Sequence, residues 1–194
     1  MIKYPALIGC FVCSSAFLFS SCGSSTVDES RRLMPPIGDS TGSSFARPVK
    51  EDFLSILKGI SISNINQFIH PKKGLWLIQS SGAMPNMTNT SQVDKNFPVD
   101  FSSFKNEELP KIDCSSKIFW TKQGCYAQEI NSFKTETIWS YCGLSKEDAG
   151  KVAALVETIS WTIINTSSSG RYYFALIDGK WYLLFADLRR PCEA

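Results

Sequence analysis

The chain carries seven cysteines and a single histidine in 194 residues, and these set the range of chemistry open to it. Cys22 stands apart from the others. It follows Phe19-Ser20-Ser21 at the end of an apolar run from Ala6 to Phe19, behind the positive charge of Lys3. That run suits a signal-peptide core of about 7–15 residues and falls short of the roughly 20 needed to span a bilayer. Small residues directly before a cysteine, at this distance from the start, point to thiol acylation. Leu7-Ile8-Gly9-Cys10 is the closer match in letters, but leaves no room for an apolar core before it. Cys13 follows Val12, which is not small. The expectation is that residues 1–21 are removed and Cys22 becomes the lipidated N-terminus, with ordinary signal cleavage or an uncleaved anchor as alternatives. Acyl chains contribute about 0.8 kcal/mol per buried methylene, so several on one residue hold a chain to the bilayer. Gly23, rather than Asp, after that cysteine is compatible with an outer membrane.

Cys114, Cys125, Cys142 and Cys192 remain. An even number in an exported chain favours disulfides, and the paired short spacings of zinc sites are absent. Pairing nearest neighbours first gives Cys114–Cys125 and Cys142–Cys192. A tight turn at Gln123-Gly124 would weigh against the first pair, because it places Cys125 opposite Lys122. His70 precedes Pro71, which reads as a turn. No glycine-rich phosphate loop, Gly-x-Ser-x-Gly elbow or Ser-x-x-Lys helix start supports catalysis. Glu107-Glu108 sits in a polar loop. No metal or organic cofactor is implied.

Five tryptophans are the other candidates. Most fall in apolar, strand-like segments, where core packing is the default. The residues picked to reach a ligand are Trp76 beside the His70 turn, His70 itself, and Tyr173 or Tyr182 on one face of a C-terminal hairpin. A tyrosine suits a surface that is apolar at one end and wet at the other.

The elements that must position these residues follow from periodicity. Gly23 to Phe45 has the composition of a flexible tether. The remaining 46–194, about 150 residues, is the usual size of one domain. Net charge is +2 with both signs interspersed, which argues against a nucleic-acid partner. Pro48 opens a helix with Phe53, Ile56, Leu57 and Ile60 on one face. Ser63 to Ile69 predicts a second, short helix, stopped by His70-Pro71. Gly74 turns the chain into a strand at Leu75 to Ile78. Gln79 to Asp113, rich in Ser, Asn and Pro, reads as an inserted loop or a lid, with a weak helical turn near Phe101 to Glu108. Lys117 to Thr121 and Cys125 to Ile130 predict a hairpin, and Thr137 to Tyr141 a short strand. Ser145 caps a helix with Glu147 and Asp148 in its first turn and Val152, Leu155 and Val156 on its apolar face. Thr158 to Asn165, Arg171 to Ile177 and Lys180 to Ala186 are strands, the last two joined by Asp178-Gly179. That turn pairs Ile177 with Lys180, Leu176 with Trp181 and Phe174 with Leu183. One face then carries Tyr172, Phe174, Leu176, Trp181, Leu183 and Phe185. The other carries Tyr173, Ala175, Ile177, Tyr182 and Leu184. Both are apolar, so both faces are covered, or one lines a pocket or a subunit interface.

The fold class is therefore α+β: two or three N-terminal helices on a curved antiparallel sheet, ending in a β-meander. This order resembles the cone-shaped nuclear-transport-factor-2-like, or cystatin-like, superfamily. The segments His70-Pro71-Lys72-Lys73-Gly74 and Ile177-Asp178-Gly179-Lys180-Trp181-Tyr182, with Pro191-Cys192 near the end, are similar to small lipoproteins of unknown function from Bacteroidetes-type bacteria. In such bacteria Asp39-Ser40-Thr41 would look like an O-glycosylation site. The resemblance implies a cavity at the wide end of the sheet and no particular chemistry. The functional expectation is an envelope protein, lipid-anchored through Cys22 in the outer membrane of a Gram-negative cell. It would bind a small ligand or a partner protein without catalysis, and pair with itself as a possible homodimer. The alternative is a hydrolase or isomerase using His70 or a buried carboxylate.

Overall fold

The computed structural model describes residues 48–80, 82 and 84–192. The acylation site Cys22, the signal peptide 1–21, the tether 22–45 and Asp39-Ser40-Thr41 lie outside the described residues. Helix α1 is Pro48–Gly59, opened by a proline whose missing N–H costs nothing in a first turn. Phe53 and Leu57 along it, and Ile60 just past its end, are buried. The second helix shrinks to a 3₁₀ turn at Ile65–Phe68. Ser63 does not cap it. Instead the Asn64 side chain donates to the Gly59 carbonyl at 2.7 Å and accepts from the Ser61 N–H at 2.8 Å, joining the two helical segments.

Seven strands follow: β1 Leu75–Ser80, β2 Pro85–Thr90, β3 Phe104–Lys105, β4 Cys125–Gln128, β5 Trp161–Asn165, β6 Gly170–Ile177 and β7 Lys180–Asp187. They form one sheet in the order β2-β1-β7-β6-β5-β4-β3. Helix α2, Lys146–Val156, precedes β5. The class is α+β as expected, but the sheet is mixed. The β1–β7 and β3–β4 pairs are parallel, and the rest are antiparallel.

The sheet is covered on both faces. On one, α1, the 3₁₀ turn and the 93–104 segment bury Phe53, Leu57, Ile65, Phe97 and Phe101 against Trp161, Ile163, Tyr172, Phe174 and Leu183. The Phe53 ring lies 4.5 Å from Trp181 and 4.8 Å from Trp161. On the other, Val152, Leu155 and Val156 of α2 pack on Trp76, Ile78, Tyr173, Ala175, Leu184 and Phe185, with Phe133 and Ile138. Two covered faces explain why the C-terminal strands alternate so little: parallel or doubly packed strands need no polar side.

Several expectations are corrected. The 79–113 segment is not a structureless loop. It contributes the edge strand β2 and two core phenylalanines, Phe97 and Phe101. Strand β2 reads Pro-Asn-Met-Thr-Asn-Thr. It buries only Met87 on an edge, where proline is tolerated as the first residue, so its pattern is nearly silent. The hairpin across Lys117–Ile130 does not form. Phe119 takes φ 58°, which breaks strand geometry, and β4 pairs with β5 and β3 instead. Thr137–Tyr141 is not a strand: Ile138–Ser140 is a 3₁₀ turn.

The β6–β7 register holds at Ile177–Lys180, Leu176–Trp181 and Phe174–Leu183, then shifts. Tyr173 faces Phe185, leaving Leu184 as a bulged residue. Beyond a bulge the alternation reverses, so Phe185 lies with Tyr173 on the α2 face rather than with Phe174. Asp178 and Gly179 both take positive φ, 50° and 75°, as a tight primed turn requires.

The disulfide pairing also differs. Cys114 is bonded to Cys192, with Cα atoms 5.5 Å apart, while Cys125 and Cys142 are buried thiols. With no hairpin between Cys114 and Cys125, nearest-neighbour pairing loses its basis. Cys125 packs on the α1 side of the sheet and Cys142 on the α2 side, so the sheet separates them. Closing a loop of sequence separation 78 stabilises the fold by about 4–5 kcal/mol in the chain-entropy account.

Candidate functional site

A hollow of about 740 Å³ lies between α2 and the β1–β2 hairpin. That is within the usual range for a small-molecule site. Its apolar lining is Trp76, Met87, Leu144, Ala154 and Leu155, and its polar lining includes Lys72, Lys73, Lys151, Asp148, Thr88 and Asn89.

The His70 turn sets one side. The His70 Nδ1 accepts from the backbone N–H groups of Lys72 and Lys73, each at 3.1 Å, and the Gly74 N–H donates to the His70 carbonyl at 2.8 Å. An acceptor at Nδ1 places the ring hydrogen on Nε2. The imidazole packs against the half-buried Tyr182 ring, with centroids 4.7 Å apart. From the other side, Asn89 of β2 donates to the Lys73 carbonyl at 2.9 Å. Gly74 takes φ +68°, and a Cβ there would stand 2.3 Å from the Asn89 Oδ1. The turn is thus fixed between β2 and β7, and it delivers Lys72 and Lys73 to the groove.

Helix α2 sets the other side. Ser145 accepts from the Asp148 N–H at 3.1 Å and donates to its carboxylate at 2.9 Å. The Ser145 hydroxyl holds the Asp148 carboxyl below its usual range, so it stays ionised. Lys151 pairs with Glu147 at 2.8 Å and Asp148 at 3.1 Å. Lys72 and Lys73 have no carboxylate partner among the described residues, which leaves the groove with a basic rim.

Trp76 is the decisive wall. It is 5% exposed, and its indole Nε1 is buried with no hydrogen-bond partner. A buried donor without an acceptor costs about 1–3 kcal/mol, and such exceptions call for an explanation.

A second polar assembly lies at the C-terminal end of β7, where Asp187 pairs with Ile78 of β1. Asp187, fully buried, accepts from Arg189 Nε at 2.9 Å and Nη2 at 2.8 Å, and from Arg171 Nη2. Arg171 Nη1 reaches Glu136 at 3.2 Å. The bulge at Leu184 is what brings Asp187 opposite Arg171. Burial pulls the Arg189 guanidinium down, but the hydrogen bonds and charge of Asp187 outweigh it and the net shift is upward. The Tyr173 hydroxyl, deep beside this network, is pushed up by burial and keeps its proton.

No family model, curated protein or solved structure matches this chain. Among the described residues, no helix is long and apolar enough to cross a membrane, and no group of three or more His, Cys, Asp or Glu is placed to hold a metal.

The four ligand-lining candidates therefore separate. Trp76 lines the groove. His70 and Tyr182 support its rim from behind. Tyr173 stacks on Phe133 at 4.5 Å and belongs with the arginine network instead. His70 spends Nδ1 on its own turn, and the buried carboxylate Asp187 is occupied by two arginines, so the two are not an acid–base pair. Met87 and Asn89 were missed because β2 was missed. Lys72 and Lys73 entered the sequence reading only as part of the His70-Pro71-Lys72-Lys73-Gly74 segment.

Proposed function

We propose that the domain binds a small amphipathic molecule in the groove between α2 and β1–β2, without catalysing its conversion. The observation that carries this reading is the unpartnered Trp76 Nε1 in the wall of an apolar groove with lysines at its mouth. An apolar body covers Met87, Leu144 and Leu155. An acceptor group on the same ligand takes the indole N–H, and a negative charge suits Lys72 and Lys73. Sites of this kind are mostly apolar with a few polar groups that fix orientation.

The cellular setting is part of the same proposal. Acylation at Cys22 would tether the domain to an outer membrane, and the Cys114–Cys192 bond fits an oxidising compartment. A self-pairing homodimer or capture of an envelope protein is the rival binding mode. The cone-like resemblance draws support from the β5–β7 meander with α1 on one face, and α2 on the opposite face is outside its pattern.

Dodecanoate titrated into the full chain by calorimetry tests the reading. Saturable binding that is lost in Ala154→Phe, which fills the groove from an exposed position on α2, is the expected result. Binding that Ala154→Phe leaves unchanged, or no heat in either protein, contradicts it.

A further inference from the structure

A second cleft, of about 400 Å³, lies between the 108–120 loop, β4 and the start of β6. Two of its lining residues, Trp120 and Arg171, each hold a buried N–H, at Nε1 and Nε, that carries no acceptor. Trp120 is itself only 5% exposed. They come from segments far apart in sequence, yet they meet at one cleft. Each orphan calls for an explanation, and two at one site call for a shared acceptor-bearing partner.

The rest of the wall narrows the chemistry. Charge in the cleft is already balanced. Arg171 is held by Glu136 and Asp187, and Lys111 stands 3.7 Å from Glu108. No uncompensated positive group remains there for a free anion. Gln128 accepts from the Leu109 N–H at 3.4 Å, which leaves its amide hydrogens to donate. Glu136 is half-buried and offers carboxylate oxygen. Donors and acceptors therefore alternate around the cleft. Between them Ile112 and Ile130, each 44% exposed, present aliphatic surface at its rim. A ligand matching this set is neutral overall, bears several hydroxyl or amide groups, and has an apolar C–H face.

We infer that this cleft is a carbohydrate-binding site, distinct from the groove at Trp76, in which Trp120 and Arg171 donate to sugar oxygens, Glu136 and Gln128 bond ring hydroxyls, and Ile112 and Ile130 meet the C–H face. The site joins the 108–120 loop to the sheet, and Cys114 within that loop is tied to Cys192. The disulfide therefore holds one wall of the cleft against the C-terminal end of the chain.

Saturation-transfer NMR on the full chain tests this, with glucose, galactose and N-acetylglucosamine as probes and sodium sulfate and acetate as competitors. The expected result is transfer to at least one sugar, undiminished by either salt. Trp120→Phe, which removes the indole N–H but keeps an aromatic ring, should weaken that sugar about tenfold, the equivalent of one lost hydrogen bond. Ile130→Ser, at an exposed position that folding does not depend on, should weaken it as well and so guards against misfolding of the tryptophan variant. Transfer to none of the sugars, displacement by sulfate or acetate, or sugar binding unaltered in both variants would overturn the assignment.

Discussion

At the scale of single residues, His70, Gly74 and Asp187 each hold the shape of the chain around them. His70 caps its own turn, so replacing it disturbs the rim of the groove more than the core. Gly74→Ala combines a left-handed backbone with a clash at Asn89. It should unseat Lys72 and Lys73, lowering dodecanoate affinity as well as melting temperature, and both are measurable on one preparation. Asp187→Ala removes the buried carboxylate shared by two half-buried guanidinium groups, leaving Arg171 with Glu136 alone. Breaking a buried pair from one side costs about 3–5 kcal/mol, which urea unfolding would read directly. Burial pushes the Cys125 thiol up to about 12 and the Cys142 thiol upward. Neither should be alkylated by iodoacetamide at pH 8 in the folded protein, while both should react in denaturant. The same digest, without reduction, should yield one peptide joining Cys114 to Cys192. A Cys142–Cys192 peptide would contradict the structure.

At the scale of elements, the α2 cap and the β7 bulge are the features with the clearest consequences. Ser145→Ala removes the only side-chain cap at the start of α2 and should cost about 1 kcal/mol, as a matching loss in thermal stability. Deleting Leu184 removes the bulge. The ladder is then regular, with Phe185 and Asp187 still on the α2 face, so the chain should fold and lose about 2–5 kcal/mol with the buried Leu184 side chain. Much of this level was legible from the sequence. The Asp178-Gly179 turn set the β6–β7 register as far as the bulge, and Ser145 with its acidic first turn marked the start of α2. The strands that escaped notice are those whose side chains carry little pattern. Strand β2 buries one residue, β3 has two residues, and β4 depends on partners beyond its neighbours in sequence. A bulge leaves no trace in alternation, because the residues on either side are apolar in both registers. The disulfide was misread for the same reason: it depends on long-range placement that local turn signals do not carry. The groove was half legible. Trp76 beside the His70 turn was one pick for a ligand contact, while Met87, Asn89 and Leu144 came from segments with no element assigned.

At the scale of the whole molecule, two packed faces and a Cys114–Cys192 tie make a domain whose stability should respond to alkali. Burial pushes the Tyr172 hydroxyl from 10.0 up to about 12, and Cys125 rises from 9.0 to about 12. A raised pKa in the folded state means the stabilisation is complete below the unfolded value and disappears as pH passes the folded one. Unfolding free energy should hold to about pH 9 and then fall by about 3 kcal/mol for Tyr172 alone by pH 12. Tyr172→Phe should flatten that decline. The central claim, however, is that the groove at Trp76 is a binding site. The most direct test is the indole N–H spectrum of the nitrogen-labelled full chain during titration with dodecanoate. Each of the five tryptophans gives one indole resonance, and Trp76→Phe identifies its own. The account predicts that the Trp76 indole proton moves downfield to saturation as it gains an acceptor, and that Ala154→Phe abolishes the movement. A Trp76 resonance that stays in place while dodecanoate binds would contradict it.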